Sequence, residues 1–192
     1  MKSESTKQLI MDTAWKHFTQ YGFAGTNLEK LCQETGITRG PLYYYFKDKA
    51  DLYRQIIVKE LEKAEESYLQ IYSSNNTILE KIERDMNLCF AENPLLQKLE
   101  ADVSGEEIKK QILDLWDKVF QLRYTALQKA IENNEIKSDY GIEEIMYFIF
   151  VSFQGIVTLD ITAKIHDSSR NYSREKSIEI FLNIIKERYL NL

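Results

Sequence analysis

Residues 26–49 read TNLEKLCQETGITRGPLYYYFKDK, a pattern typical of two short helices joined by a tight turn. Thr26 or Asn27 can cap the first helix with a side-chain oxygen, and Gly36 is placed to end that helix in the left-handed conformation. The second helix tolerates Pro41 in its first turn, because a backbone N–H there has no acceptor within the helix. The segment therefore predicts a helix-turn-helix unit.

A small apolar seam is predicted to hold these two helices at a fixed angle, and its members are Leu28, Leu31, Ile37, Leu42 and Phe46. The side chains then left outside are those of Thr38, which can cap the second helix, and of Arg39, Tyr43 and Tyr44. An arginine fork suits the edge of guanine, and Thr and Tyr hydroxyls reach phosphates, so this surface suits a DNA duplex. The alternative for the tyrosines is core packing, because three consecutive tyrosines on a short helix must turn at least one ring inward. Tyr45 is the first candidate for that inward position.

Helical periodicity continues along the rest of the chain and predicts an all-α fold. The first helix, residues 5–21, has an apolar face of Leu9, Ile10, Ala14, Phe18 and Tyr21, and Gly22 is placed to end it. Further helices are predicted at about 48–72, 77–92, 95–101, 106–133 and 142–166, and from a cap at Ser173 onward. Residues 142–166 are apolar almost all round, which predicts burial either in the centre of the body or against a partner subunit.

Composition and charge restrict the class of protein. The chain has 192 residues, 44% of them apolar, and a net charge of −5, which fits one or two folded domains. Residues 1–54 hold eight Lys and Arg against six Asp and Glu, whereas residues 55–192 hold seventeen against twenty-four. A mildly basic head on an acidic body suits contact with a polyanion through the head, and it equally suits an ordinary solvated surface.

Three absences in the sequence bear on location. No apolar run approaches the roughly 18 residues that cross a bilayer, and the N-terminus lacks an apolar signal core. Cys32 and Cys89 are too few for a disulfide framework and are expected to be buried small hydrophobes. These features predict a cytoplasmic protein without a membrane partner.

The N-terminal segment resembles the TetR family of bacterial transcriptional regulators over about residues 5–55. The matching segments are Gly22-Phe23 with Thr26, residues 35–46, and the KDKADL of residues 47–52. They are similar to the family's alanine-glycine-valine-serine turn, its leucine-tyrosine-x-x-phenylalanine recognition helix and its lysine-x-x-leucine helix start. Cys32 and Thr35 stand where alanine is usual, and one position of the tyrosine pair often holds histidine in the family.

This resemblance implies a helix-turn-helix DNA-binding domain over residues 1–48 and a helical ligand-binding and dimerisation domain over residues 49–192. It also implies a set of DNA contacts: Thr26, Asn27, Thr38, Arg39, Gly40, Pro41, Tyr43, Tyr44 and Lys49. Within this set Arg39 is expected to contact a base, whereas Thr26, Asn27 and Lys49 are expected to contact phosphates. For Lys49, as for Lys47, a solvated surface position is an equally weighted alternative.

The resemblance further implies a homodimer formed through the last two helices and a small-molecule cavity in the second domain. Candidate lining residues are Met86, Phe90, Trp116, Phe120, Arg123, Tyr124, Tyr147, Phe150 and Gln154, and plain core packing is the alternative for each aromatic ring. Arg123 and Asp160 are charges within apolar runs, which need a partner if they are buried. They are expected to bind a ligand, to pair with each other, or to face solvent.

Enzyme motifs are missing from the sequence. It holds no Gly-x-Ser-x-Gly elbow, phosphate loop or His-Glu-x-x-His pair, and its two histidines, His17 and His166, lie near no cysteine in sequence. We therefore expect no catalytic residues, no metal and no cofactor. The predicted function is a transcriptional repressor that binds double-stranded operator DNA and is released by a small-molecule effector. The alternative is a helical scaffold or an enzyme whose N-terminal unit does not bind DNA.

Overall fold

The computed structural model describes residues 2–91, 101–137, 139–166 and 173–191, which form eight α-helices. These are α1 (Lys2–Gly25), α2 (Leu28–Thr35), α3 (Arg39–Tyr45), α4 (Lys49–Ser73), α5 (Ile78–Ala91), α6 (Ala101–Glu132), α7 (Ile142–His166) and α8 (Arg174–Tyr189). An isolated antiparallel bridge joins Ile136 to Leu190. The predicted all-α fold is confirmed. None of these helices, over the residues described, is long and apolar enough to cross a membrane.

The chain divides into two compact units. Unit 1 is Met1–Glu65 with Glu92–Trp116, and unit 2 is Glu66–Ala91 with Asp117–Leu192. Helices α4 and α6 each contribute residues to both units. The boundary between residues 48 and 49 that the resemblance implies is a functional division, and it stays a prediction.

The core of unit 1 gathers one face of each of its helices. Ile10, Met11, Ala14 and Phe18 of α1 pack with Leu31, Leu42, Phe46, Leu52, Tyr53, Ile56, Ile57, Leu61 and Ile108, all of them buried. Aromatic contacts are central to it: the ring centroids of Phe18 and Tyr53 lie 5.0 Å apart in an edge-to-face arrangement. Burial of this face is what makes α2 and α3 stable, because helices of eight and seven residues are marginal on their own.

Side-chain and backbone caps set the helix ends around the turn. Asn27, not Thr26, caps α2: its Oδ1 accepts hydrogen bonds from the N–H groups of Glu29 and Lys30. Gly36 ends α2 in the left-handed conformation with φ 68°, as predicted. Thr38 occupies the N-cap position of α3, but its side chain makes no capping hydrogen bond.

Helix α4 begins at Lys49, one residue after the predicted start at about residue 48, and the two residues before it take part in a reciprocal cap. The Asp48 Oδ1 accepts from the N–H of Asp51 at 2.7 Å, and the Asp51 Oδ2 accepts from the N–H of Lys47 at 2.9 Å. Partial burial by itself raises the pKa of Asp51, but the hydrogen bonds from Lys47 and Gln55 outweigh that effect and lower it overall. The Asp48 and Asp51 carboxylates thus serve as hydrogen-bond acceptors at the N-terminus of α4.

The prediction that Leu9 and Tyr21 belong to the buried apolar face of α1 is wrong. Leu9 is 46% exposed and Tyr21 is 54% exposed, whereas Ile10, Ala14 and Phe18 are buried. The buried stripe follows a period of four with Met11 on one side, which places Leu9 and Tyr21 outside it. Gly22 has φ 70° inside the helical span, so the regular helix is interrupted where the sequence predicts its end.

The later helices follow the predicted pattern with shifted ends. Helix α5 buries Ile78, Ile82 and Met86, and Leu79 is half-buried. In α6, Gly105 with φ 77° interrupts the helix just before the predicted start at residue 106, and Asn134 with φ 60° follows its end. The predicted helix at 95–101 lies outside the described residues except for its last position, and so does the Phe90 side chain.

Helix α7 is not buried on all sides within the single chain. Ile145, Met146, Ile149 and Phe153 are buried, whereas three large side chains on another face are exposed: Tyr147 at 63%, Phe148 at 39% and Val151 at 63%. Helix α8 packs against α7 and α5 through Phe181 and Ile185, and Ser173 caps it as predicted, accepting from the N–H of Lys176 at 3.2 Å. Ile180 and Ile184 of α8 are exposed. The face of α7 that carries Tyr147, Phe148 and Val151 is therefore not buried in the centre of the chain.

Candidate functional site

The second helix of the turn, α3, is anchored on one side only. Leu42 and Phe46 are 1% exposed and pack with Leu31, which is completely buried, while Leu28 and Ile37 pack at the edge of the same core. The predicted apolar seam is confirmed. A polar tie also fixes α2 to α1, since His17 Nε2 lies 2.7 Å from Glu34 Oε2. These contacts set the direction in which the outer face of α3 points.

The outer face of α3 carries six of the nine predicted DNA contacts. Thr38, Arg39, Gly40, Pro41, Tyr43 and Tyr44 are all exposed, with Tyr44 at 80% and Tyr43 at 54%. Tyr45 is the ring turned inward: it is half-buried and packs against the core of unit 1. The structure thus brings hydroxyls, a guanidinium and an exposed glycine together on one short helix.

One feature of this surface was missed by sequence reasoning. The Arg39 Nη2 donates a hydrogen bond to Oε1 of Glu29, in the first turn of α2, and both side chains are largely exposed. The two residues are ten positions apart and belong to different helices, so no helical spacing rule indicates the pair.

Thr26 lies buried at the corner between α1 and α2. It is 3% exposed, its hydroxyl donates to the carbonyl of Gly22 at 2.7 Å, and its N–H bonds to the carbonyl of Phe23. Its polar groups therefore join α1 to α2, and the predicted phosphate contact through the N-terminus of α2 stays a prediction. Asn27 is exposed, and its side-chain oxygen already accepts two N–H groups of α2.

Lys49 is held in a way that the sequence did not predict. Its ammonium donates to three carbonyls at the end of α1, those of Phe23 at 2.8 Å, Thr26 at 3.1 Å and Ala24 at 3.4 Å. It also lies over the Phe23 ring, 4.6 Å from the centroid. A lysine has three N–H donors, so this arrangement uses all of them. Lys49 joins the start of α4 to the corner between α1 and α2.

Unit 2 contains a buried ion pair centred on Asp85, which is completely buried. Arg123 binds it with a fork: Nε to Oδ2 and Nη2 to Oδ1, both at 2.8 Å. Tyr72 donates its hydroxyl to the same carboxylate, and the Cys89 thiol lies 3.6 Å from Oδ1. The guanidinium also lies over the Phe150 ring, 4.4 Å from the centroid. The cluster therefore ties together α4, α5, α6 and α7.

In this cluster the Asp85 carboxylate raises the pKa of both Arg123 and Tyr72. Burial alone lowers the pKa of Arg123, but hydrogen bonds from the guanidinium to Asp85 and the carboxylate charge raise it above its usual value overall. Burial and the neighbouring Asp85 charge hold the pKa of Tyr72 well above its usual value. Arg123 is therefore cationic and Tyr72 a neutral donor at physiological pH.

The predicted ligand residues fall into two groups. Met86 is buried, Arg123 and Phe150 are in contact, and half-buried Tyr124 donates to Glu143 at 3.4 Å. Tyr147 and Gln154 are exposed on the same face of α7 as Val151, and their place in a ligand site stays a prediction. Trp116, in unit 1, is 46% exposed, and Phe120, in unit 2, is 43% exposed. Phe90 and Asp160 lie outside the described side chains, and the partner found for Arg123 is Asp85.

Metal chemistry gains no support from the described residues, among which no group of three or more His, Cys, Asp or Glu is arranged to hold an ion. Cys89 is buried and Cys32 is half-buried, and neither forms a disulfide bond.

Comparison with known proteins agrees with this geometry. Residues 10–56 match the family model described as bacterial regulatory proteins, tetR family. Over 55 residues the chain is 40% identical to the HTH-type transcriptional regulator AcrR of Shigella flexneri, a match that covers 29% of this chain and 26% of that protein. It is 22% identical over 165 residues to the fatty acid metabolism regulator protein of Bacillus subtilis (strain 168), covering 82% of this chain and 85% of that one.

The fold is also that of a solved regulator. A transcriptional regulator from Saccharomonospora viridis, crystallised in complex with choline, superposes with a TM-score of 0.77 at 14% identity, covering 98% of this chain and 100% of that chain. The family model matches the segment that contains α2 and α3, and the structural match covers 98% of the chain. The resemblance stated from the motifs is confirmed.

Replacing Lys49 by Met tests its structural role. Lys49→Met keeps the aliphatic stem but removes three charge-assisted hydrogen bonds, so we expect the free energy of unfolding to fall by about 1.5–3 kcal/mol. Urea denaturation followed by circular dichroism measures this change. Lys30→Met, on the exposed surface of α2, is the matched control and should change stability by less than about 0.5 kcal/mol. Equal stabilities for the two variants would contradict the structural role.

The Asp85–Arg123 pair makes a second prediction. Arg123→Met leaves a carboxylate buried without its cation, which should cost about 3–5 kcal/mol of unfolding free energy. Adding Asp85→Asn removes the unpaired charge and keeps an acceptor for Tyr72, so the double variant should recover a large part of the loss. The same denaturation experiment measures both. If the losses of the two single variants simply add in the double variant, the residues are not coupled.

Proposed function

We propose that this chain, which belongs to the tetR family of bacterial regulatory proteins, acts in the cytoplasm as a repressor that binds operator DNA and is released by a small-molecule effector. The observation that carries the proposal is the one-sided burial of α3, with Leu42 and Phe46 inside and Arg39, Tyr43 and Tyr44 outside. A helix anchored in this way presents a rigid rod of side chains to a major groove. Residues 1–48 are the proposed DNA-binding domain, and the rest is the proposed effector and dimerisation domain.

The proposed DNA contacts divide by chemistry. Arg39 is the base-reading residue, because a guanidinium can donate two parallel hydrogen bonds to guanine. Thr38, Tyr43 and Tyr44 offer hydroxyls to phosphates. Gly40 has no side chain and Pro41 has a small one, which allows the first turn of α3 to approach the DNA closely. Thr26 and Asn27 are proposed phosphate contacts through the N-terminus of α2, where N–H groups and the helix dipole favour an anion. Lys49 acts indirectly, by holding the corner between α1 and α2.

A homodimer through α7 and α8 is proposed from the exposed apolar surface of unit 2. Tyr147, Phe148 and Val151 of α7 and Ile180 and Ile184 of α8 are each 39–63% exposed in the single chain. Exposed apolar patches of this kind mark association surfaces, and two packed helices from each subunit form a four-helix seam. Gly155 faces open space one turn beyond Val151, which leaves room for a partner helix. A dimer supplies the second recognition helix that a two-half-site operator requires.

The effector is proposed to bind unit 2, lined in part by Met86, Phe90, Arg123, Tyr124 and Phe150. Support comes from Phe150, which is partly exposed and lies beneath the cationic guanidinium of Arg123. Together the ring and the guanidinium form a surface suited to a small ligand with both apolar and polar parts. Helix α4 passes from unit 1 into unit 2 and is the proposed route by which effector binding alters the position of α3. No catalytic step is proposed.

Arg39→Ala tests base reading. A bidentate contact with guanine discriminates by about 1–3 kcal/mol, so the variant should bind its operator about 5- to 150-fold more weakly and bind a scrambled duplex almost unchanged. Fluorescence anisotropy with a duplex selected from a random pool by the wild-type protein measures both constants. Equal loss on both duplexes would show that Arg39 contacts the backbone instead, and failure of the wild-type protein to select any sequence would contradict the proposed function.

Val151→Glu tests the dimer. The side chain is exposed in the single chain, so stability of the fold should change by less than about 0.5 kcal/mol, whereas a charge within an apolar seam should prevent association. Sedimentation velocity should show the wild type at twice the chain mass of 22.7 kDa and the variant at that mass. Leu113→Glu, an equally exposed apolar position on α6, is the control and should remain dimeric. A dimeric Val151→Glu variant would place the interface elsewhere.

A further inference from the structure

The ion pair between Glu29 and Arg39 lies on the surface proposed to meet DNA. Arg39 is the first residue of α3, Glu29 is the second residue of α2, and their side chains are 64% and 60% exposed. Among the described residues, Glu29 is the carboxylate paired with the guanidinium. The residue expected to read a base is thus paired with a carboxylate of the same chain.

The local structure places the Glu29 carboxylate where its charge is favoured. The backbone N–H of Glu29 donates to Asn27 Oδ1 at 2.7 Å, and a carboxylate in the first turn of a helix is favoured by the partial positive charge of the helix end. Helices α2 and α3 are held together by the burial of Leu31 and Leu42. Arg39 can therefore leave the pair by side-chain rotation alone, while Glu29 stays near the start of α2.

Two kinds of DNA contact compete differently with this pair. A phosphate offers Arg39 an ion pair of much the same kind as the one it would leave, so exchange brings little gain. The edge of guanine offers two parallel hydrogen bonds, which discriminate by about 5- to 150-fold against other bases. Glu29 therefore prevents Arg39 from contacting a phosphate, whatever the DNA sequence. It does not prevent Arg39 from reading the correct base.

We propose that Glu29 is a specificity-determining residue that withholds Arg39 from the phosphates of non-operator DNA and releases it to an operator base. The inference rests on the proposed DNA-binding function. Specificity is a difference between two affinities, and here it is gained by weakening the unwanted complex.

Glu29→Gln provides the test, because it removes the charge and keeps the size of the side chain. Arg39 becomes free to neutralise one more phosphate in any complex, so affinity for a scrambled duplex should rise by about three- to tenfold, and its salt dependence should steepen by about 0.9 per protomer. Affinity for the selected operator should rise less, and the ratio of the two constants should fall. Anisotropy titrations of both duplexes at several salt concentrations measure these quantities.

Two controls separate this effect from net charge. Glu83→Gln makes the same charge change at an exposed position of α5 in unit 2 and should alter the ratio little. In an Arg39→Ala background, Glu29→Gln should no longer steepen the salt dependence on the scrambled duplex, because no guanidinium is released.

The outcomes are distinct. If Glu29→Gln behaves like Glu83→Gln while the wild type still prefers its operator, the inference is wrong and the proposed function stands. If Glu29→Gln instead weakens operator binding and leaves scrambled binding unchanged, Glu29 supports Arg39 in the complex, which also overturns the inference. If the wild type shows no preference between duplexes, the proposed function itself fails.

Discussion

The packing of Leu42 and Phe46 against Leu31 is the constraint on which the N-terminal surface depends. Helix α3 has seven residues, too few to be stable in isolation, and its conformation is therefore set by what it buries. Once those side chains are inside, the period of the helix places Arg39, Tyr43 and Tyr44 on the opposite side. Gly36, with φ 68°, allows the reversal that makes this packing possible. The same few contacts thus produce both the core and the face left for DNA.

The sequence predicts what depends on neighbours along the chain and misses what depends on distant ones. The seam of α2 and α3, the Gly36 cap and the Ser173 cap all follow from local spacing and are observed. The partners of Lys49 lie 23 to 26 positions away, and Asp85 lies 38 positions from Arg123, so no periodicity indicates them. The exposure of Leu9 was missed for a related reason, because the choice between adjacent apolar residues on α1 depends on the helices that pack against it.

Two ion pairs in this chain show how burial changes the role of the same chemistry. Asp85 and Arg123 are almost fully excluded from water, so loss of one partner leaves a charge that cannot be solvated, at a cost of about 3–5 kcal/mol. Glu29 and Arg39 are exposed, and such pairs contribute about 0–1 kcal/mol to stability. The first pair can therefore hold helices together but cannot exchange partners cheaply. The second contributes little to the fold, so the proposed exchange of Glu29 for a base edge costs the fold little stability.

Helix α4 connects the two kinds of site through one continuous element. Lys49 at its start is bound to the corner between α1 and α2, and Tyr72 near its end donates to Asp85 in the buried cluster. An effector can alter operator affinity only to the extent that it binds one position of this helix more tightly than another. Because Tyr72, Asp85 and Arg123 share one hydrogen-bonded cluster, a ligand that contacts Arg123 acts on the same contacts that hold the end of α4.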